Sequence, residues 1–260
     1  MLRGAHAIIV PCAQCGRTAC GLSYIFAYAL GYRGMNIRRP FPDTPCVALF
    51  DLDGTLTWHD TLLPFLSGYV LRHPARWIGL WRLIPALIEY ALRGRDRGRL
   101  KSRVIRASLG EVRREDLDAW AESFVHGLEH EHAYRPAALK ALAAHRAKGD
   151  HPVLLSASPD LYVPRIGRQL GFEHTLCTEI LWRADRLDGA LKSPNRRGEE
   201  KLRCLEWLRT QYPGAPIIAY GNSSSDLAHL ARADRAVLVN AGAGARRRAR
   251  SAGIAVADWT

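Results

Sequence analysis

Three short, fully apolar runs in this chain each stop at an acidic or small polar residue, and that pattern narrows its possible folds most. Cys46-Val-Ala-Leu-Phe50 runs into Asp51-Leu-Asp53-Gly-Thr55. Pro152-Val-Leu-Leu155 runs into Ser156-Ala157-Ser158, and Pro216-Ile-Ile-Ala-Tyr220 runs into Gly221-Asn222-Ser223. A continuous apolar run of this length, without polar alternation, reads as a strand buried on both faces. Helical patterns fill the stretches 60 to about 147, 162–170, 199–210 and 243–252, with short strands expected in 175–192 and a further one at Ala236–Asn240. Strands alternating with helices predict an α/β fold with a Rossmann-like, doubly wound parallel sheet. The long helical stretch between the first two strands, broken at Pro74, Pro85, Gly94 and Gly110, then reads as an inserted all-helical cap domain. The expected divisions are a core of 45–58 and 133–260, a cap of 59–132 and an N-terminal extension of 1–44.

Composition supports a globular chain large enough to bury a sizeable core: 48% of its 260 residues are hydrophobic and 24% charged. Residues 1–34 differ from the rest. They hold Cys12, Cys15 and Cys20 ahead of the apolar run Gly21–Tyr32. That run is too short to span a bilayer as a helix, ends in a poor signal-cleavage sequence, and has no fourth ligand for a metal site. We read the segment as a disordered extension or a misplaced start, with Met35 a plausible first residue. Six cysteines in all exclude a disulfide-dense scaffold.

In open parallel sheets, sites form off the carboxyl ends of the strands. Here those ends gather Asp51, Asp53, Ser156, Asn222 and Asp226. Asp-x-Asp-Gly-Thr is not an EF-hand loop, because Gly follows the second Asp directly and a strand precedes it. Four ordered motifs within about 45–258 resemble the haloacid dehalogenase superfamily of aspartate-nucleophile phosphatases. They are Phe50-Asp51-Leu52-Asp53-Gly54-Thr55-Leu56, Leu154-Leu155-Ser156-Ala157-Ser158, Lys201 within Asn195-Arg-Arg-Gly198-Glu-Glu-Lys201, and Gly221-Asn222-Ser-Ser-Ser-Asp226. The helical insertion and the Asn-x-x-Gly-x-x-Lys pattern are similar to the phosphoserine-phosphatase-like branch (subfamily IB). That branch includes phosphatidylglycerophosphatase C and some histidinol-phosphate phosphatases.

The resemblance implies a Mg²⁺-dependent phosphomonoester hydrolase working through an aspartyl-phosphate. Asp51 is the expected nucleophile, since a carboxylate can form an acyl phosphate. Asp53 is the expected general acid and base. Thr55, Ser156, Ala157 and Lys201 are expected to bind the phosphoryl group, and Asp51, Asp53 (through its backbone carbonyl), Asn222 and Asp226 to hold Mg²⁺. One position departs from the family pattern: Asn222 stands where an Asp is usual, which removes one negative charge from the metal site. The alternative reading is therefore an impaired protein that binds phosphate or anionic lipid without turnover. Six histidines, His59, His73, His126, His130, His132 and His174, show no ligand spacing.

Net charge then bears on partners. The chain carries +12, and the segment from Arg72 to Arg106 holds ten basic residues against Glu89 and Asp96. This segment includes the apolar stretch from Trp77 to Leu92. Its expected anionic partner is a phosphorylated small molecule or phospholipid, with peripheral contact to an anionic membrane. Nucleic acid is disfavoured because aromatic residues are not interleaved with the basic cluster. The expected location is cytoplasmic, at the inner face of the membrane.

Overall fold

The computed structural model describes residues 44–93 and 96–259; the N-terminal extension expected at 1–44, with Cys12, Cys15 and Cys20, lies outside them apart from Thr44. The first apolar run forms β1 (Val47–Phe50), all four residues buried. β2 (His151–Pro159) and β6 (Ile217–Gly221) flank it, both parallel to it, with Phe50 opposite Leu154 on one side and Tyr220 on the other. With β3 (His174–Thr178), β7 (Arg235–Val239) and β8 (Ala255–Ala257) the sheet has six strands in the order β3-β2-β1-β6-β7-β8, every pairing parallel. The chain builds outward from β1 first through β2 and β3, then through β6, β7 and β8. A crevice therefore opens beside the carboxyl end of β1, where the winding reverses.

Strand periodicity sorts the apolar residues onto two faces. Ala48, Phe50, Leu154, Ile218, Tyr220, Val237 and Val239 belong to one core, while Val47, Leu49, Val153, Leu155, Ile217, Ala219 and Leu238 belong to the other. Of the covering helices, α6 (Pro136–Ala147) and α7 (Val163–Leu170) join the first core. α8 (Glu199–Gln211), α9 (Leu227–Leu230) and α10 (Ala243–Ser251) contribute to the second.

Among the described residues, five helices follow β1 before α6: α1 (Leu62–Arg72), α2 (Trp77–Leu80), α3 (Ile84–Arg93), α4 (Arg97–Leu109) and α5 (Arg114–His130). Short 3₁₀ turns at Pro74–Arg76 and Trp81–Leu83 link α1, α2 and α3. The first core continues into this insertion through Phe65, Tyr69, Ile105, Leu109, Leu117 and Ala121. Entry and exit lie side by side. Thr57 and Tyr134 form an antiparallel bridge, Trp58 N donates to Ala133 O at 3.0 Å, and Arg135 N donates to Leu56 O at 2.8 Å. A separate antiparallel hairpin, β4 (Ile180–Arg183) with β5 (Arg186–Leu191), packs on α4. There the Arg106 guanidinium pairs with the Asp188 carboxylate, and Gly189 brings its backbone against Arg106 so closely that a Cβ would lie 2.8 Å from Arg106 Cα.

One strand end and one added strand differ from the sequence expectation. β2 continues past Leu155 to Pro159, because Ser156–Ser158 stay extended at the strand end rather than turning. β8 was not foreseen, since three residues carry too little pattern to be read.

At the sheet's centre Phe50 stacks on Tyr220 with ring centroids 4.7 Å apart, and Trp259 lies 5.3 Å beyond Tyr220. Trp259 is 1% exposed; its amide donates to Asn240 Oδ1 and its carbonyl accepts from Arg135 Nη1. Trp259→Ala empties a space that backbone bonds on both sides prevent from collapsing, and is expected to cost about 3–5 kcal/mol. Urea unfolding of the variant measures this.

Candidate active site

The loop after β1 leaves the sheet as a wide turn over Leu52–Leu56, which requires Gly54 at φ +79. A side chain there is excluded twice, because a Cβ would also sit 2.0 Å from Asn222 Nδ2. The turn thus lets the β1 and β6 loops meet over the crevice. A cavity of ≈ 410 Å³ opens between these loops and α4, with Asp51, Asp53, Ala157, Lys201, Asn222 and Asp226 among its walls. Arg97 and Lys101 of α4 line it as well, as does Arg197 before α8. Thr55 and Ser156 are fully buried behind this lining. Thr55 Oγ1 donates to Asp51 Oδ2 at 3.3 Å, and Ser156 Oγ accepts from Ser158 N at 3.0 Å.

One cation holds the acids together. Lys201 Nζ, in the first turn of α8, donates to Asp51 Oδ1 at 2.5 Å and to Asp226 Oδ1 at 2.7 Å. The other Asp226 oxygen accepts from Ser223 N at 2.9 Å and Ser223 Oγ at 2.7 Å, so both of its oxygens are engaged. Burial raises the Asp51 carboxyl to about 7, with Lys201 opposing and the Asp226 carboxylate adding to the rise. For Asp226, burial works upward but Lys201 outweighs it and holds the group below the ordinary carboxylate range. Lys201 itself loses to burial and gains more from its two carboxylates, so its affinity for the proton rises. His229, buried beside them with Nδ1 unpaired, is pushed down to about 3 and stays neutral.

Asp53 faces another way. Its Oδ1 accepts from Thr61 N and Thr61 Oγ1, both at 2.7 Å, and its Oδ2 from Ser158 Oγ at 2.6 Å. Tyr162 OH is 2.9 Å from Thr61 Oγ1, so these hydroxyls form a chain behind the carboxylate. Burial nevertheless raises its pKa. Lys101 crosses from the insertion to bond Ala157 O and Asn195 Oδ1, each at 2.6 Å, and burial lowers it to about 8. The Ala157 carbonyl also accepts from Thr178 Oγ1 at 2.7 Å.

Sequence reasoning had not singled out Thr61, Ser158, Tyr162, Arg97, Lys101 or Arg197 as site residues. Lys101 and Arg97 had a signal, membership of the basic segment, but nothing local showed which of its members face the sheet. Of the six histidines named from sequence, His59 lines the cavity.

A parallel sheet thus carries an acid pair at the end of its central strand, met by a lysine and a third acid from later parts of the chain. The family model of haloacid dehalogenase-like hydrolases matches residues 48–231, and the chain belongs to that family. Protein CicA of Caulobacter vibrioides is 35% identical over 217 residues, covering 78% of this chain and 91% of that protein. A protein with unknown function from Bordetella pertussis Tohama I has the same fold at TM-score 0.69 and 25% identity, covering 84% of this chain and 100% of that one. A probable phosphoserine phosphatase from Vibrio cholerae aligns at TM-score 0.62 and 15% identity, covering 85% and 64%, a likeness of fold.

Two outcomes follow from the buried charges. Lys201→Met leaves two buried carboxylates without their cation and is expected to destabilise the protein by about 3–5 kcal/mol, read from the urea midpoint. Asp51 holds its proton up to about 7 when folded but only to about 4 when unfolded, so its contribution to stability falls as pH rises through that window. The stability of Asp51→Asn relative to the parent, both without metal, is therefore expected to rise from pH 5 to pH 8. Unfolding titrations at the two pH values check the sign.

Proposed function

We propose that the chain is a Mg²⁺-dependent phosphomonoesterase in which Asp51 is the nucleophile. The observation that carries the reading is the Lys201 ammonium fixed between Asp51 and Asp226 at the wall of a cavity that also presents Arg97, Lys101 and Arg197. Such a cavity suits a phosphate dianion, whose charge must be neutralised while a carboxylate approaches phosphorus in line.

Asp51 attacks phosphorus to give an aspartyl-phosphate while the P–O bond to the leaving group breaks. Asp53, raised by burial and held by Thr61 and Ser158, gives its proton to the departing oxygen. Asp53 then takes a proton from the water that hydrolyses the acyl phosphate, which restores both carboxyl groups. Ser156, Thr55 and the backbone around Ala157 shape the pocket for the phosphoryl oxygens, and Lys201 neutralises charge beside Asp51.

The donor set fits Mg²⁺. The Asp51 carboxylate, the Asp53 backbone carbonyl and the Asn222 amide oxygen are hard oxygen donors, and Mg²⁺ completes such partial sets with water. Asp226, engaged by Lys201 and Ser223, would act on the metal through water. When bound, the ion supplies positive charge for the phosphoryl oxygens. A soluble or lipid phosphomonoester is the substrate class.

Asn222 favours a second reading, a non-catalytic binder of phosphate or anionic lipid. A phosphomonoester panel with Mg²⁺ separates the two. The first reading expects phosphate release, its abolition in Asp51→Asn, and a lower Mg²⁺ requirement in Asn222→Asp as the added carboxylate strengthens the metal site. Binding without release from any panel member would leave the second.

A further inference from the structure

The backbone is helical from Trp77 through Arg93, with α2, a 3₁₀ turn and α3 following one another. Trp77, Trp81, Ile84 and Ile88 recur at spacings of four, three and four, which places them along one stripe, with Ile78 at its edge. These five side chains are between 53% and 76% exposed. A soluble chain rarely keeps so many large apolar side chains together in water. The Trp77 indole N–H is already spent on Val70 O at 3.0 Å, so its exposed ring asks for apolar surroundings rather than water.

The surroundings select the partner. The segment from Arg72 to Arg106 carries ten basic residues and two acidic ones. Of these, Arg72 and Arg99 are exposed, and Arg99 and Arg103 both pair with Glu89 beside the stripe. An apolar, tryptophan-bearing helix face set in an excess of arginine matches the boundary between acyl chains and anionic headgroups. Among the described residues no helix is long and apolar enough to cross a membrane, so a helix of this kind lies along the surface. The same segment reaches the catalytic cavity. After α3 the chain enters α4, whose Arg97 and Lys101 line that cavity.

We infer that the helical stretch 77–93 docks the protein on an anionic lipid bilayer, with the apolar stripe at the level of the upper acyl chains and the flanking Arg72 and Arg99 among the headgroups. Docking itself does not depend on turnover. Its consequence for substrate rests on the proposed phosphatase activity: the cavity then takes a phosphomonoester displayed at the membrane surface.

Flotation of the full chain with vesicles tests this, using phosphatidylcholine alone or mixed with phosphatidylglycerol. Binding is expected to the mixed vesicles, and to weaken as salt rises from about 0.1 M to about 1 M, over which the screening length shrinks from ~10 Å to ~3 Å. Ile84→Glu with Ile88→Glu is expected to lower partitioning at least about tenfold, since each buried isoleucine contributes on that order. Both positions are exposed, so thermal midpoint and hydrolysis of a soluble aryl phosphate should match the parent. Equal binding to neutral and mixed vesicles, or unchanged partitioning of the double variant, overturns the inference. So does a concentration-dependent dimer that the double variant abolishes in the absence of vesicle binding, which would assign the face to a second copy. Vesicle binding without aryl phosphate hydrolysis supports docking and overturns the catalytic reading. Hydrolysis without vesicle binding removes docking alone.

Discussion

A single ammonium group makes the rest of the site possible. Asp51 and Asp226 come from loops after different strands, and both are withdrawn from water, where two carboxylates alone would repel each other and shed their charge by protonation. Lys201, reaching in from the start of α8, turns that conflict into a bonded arrangement with distances of 2.5 Å and 2.7 Å. The β1 loop and the β6 loop are thereby tied to α8, and the crevice keeps its walls. The two acids shift in opposite directions because burial prevails over Lys201 at Asp51, whereas Lys201 prevails over burial at Asp226. Asp226, with Lys201 and Ser223 donating to it, stays ionised, while Asp51, with fewer donors, rises to about 7.

The sheet accounts for why those loops are there to be tied. Four buried residues of β1 can pair on both sides only if the crossovers cover both faces, and the alternation of Val47 and Leu49 against Ala48 and Phe50 divides the core accordingly. The reversal of winding beside β1 leaves a gap above its carboxyl end. Gly54 closes that gap to the width of one side chain, because no Cβ fits between it and Asn222.

Much of this was legible in the sequence because it is local. A run of apolar residues ending in Asp51 announces both a strand and what stands at its end, and the same holds for Ser156 and Asn222. Lys201 was legible through the resemblance of the pattern Asn195-x-x-Gly198-x-x-Lys201 to the family. What the sequence hid was contact across distance. Thr61 and Ser158 grip Asp53 from positions 8 and 105 residues away, and Lys101 meets Ala157 from 56 residues away. No periodicity marks such meetings, since they depend on how the inserted helices settle over the sheet. Arg97 and Lys101 looked like any other members of a basic cluster for the same reason. The end of β2 was misplaced because a serine-rich strand end looks like a turn until its partner β3 is seen.

The paired entry and exit of the insertion have a further consequence. Thr57 and Tyr134 are bridged, Trp58 N is bonded to Ala133 O, Arg135 N to Leu56 O, and the Arg135 guanidinium lies 4.1 Å over the Trp58 ring. The sheet therefore meets the insertion as a closed two-stranded neck, much as it would meet a tight turn. Lineages are free to lengthen, trim or exchange what lies beyond such a neck without altering the register of β1 or the placement of Asp51. Thr61 and Lys101, which lie beyond the neck and bond Asp53 and Ala157, are the exceptions that such change must keep.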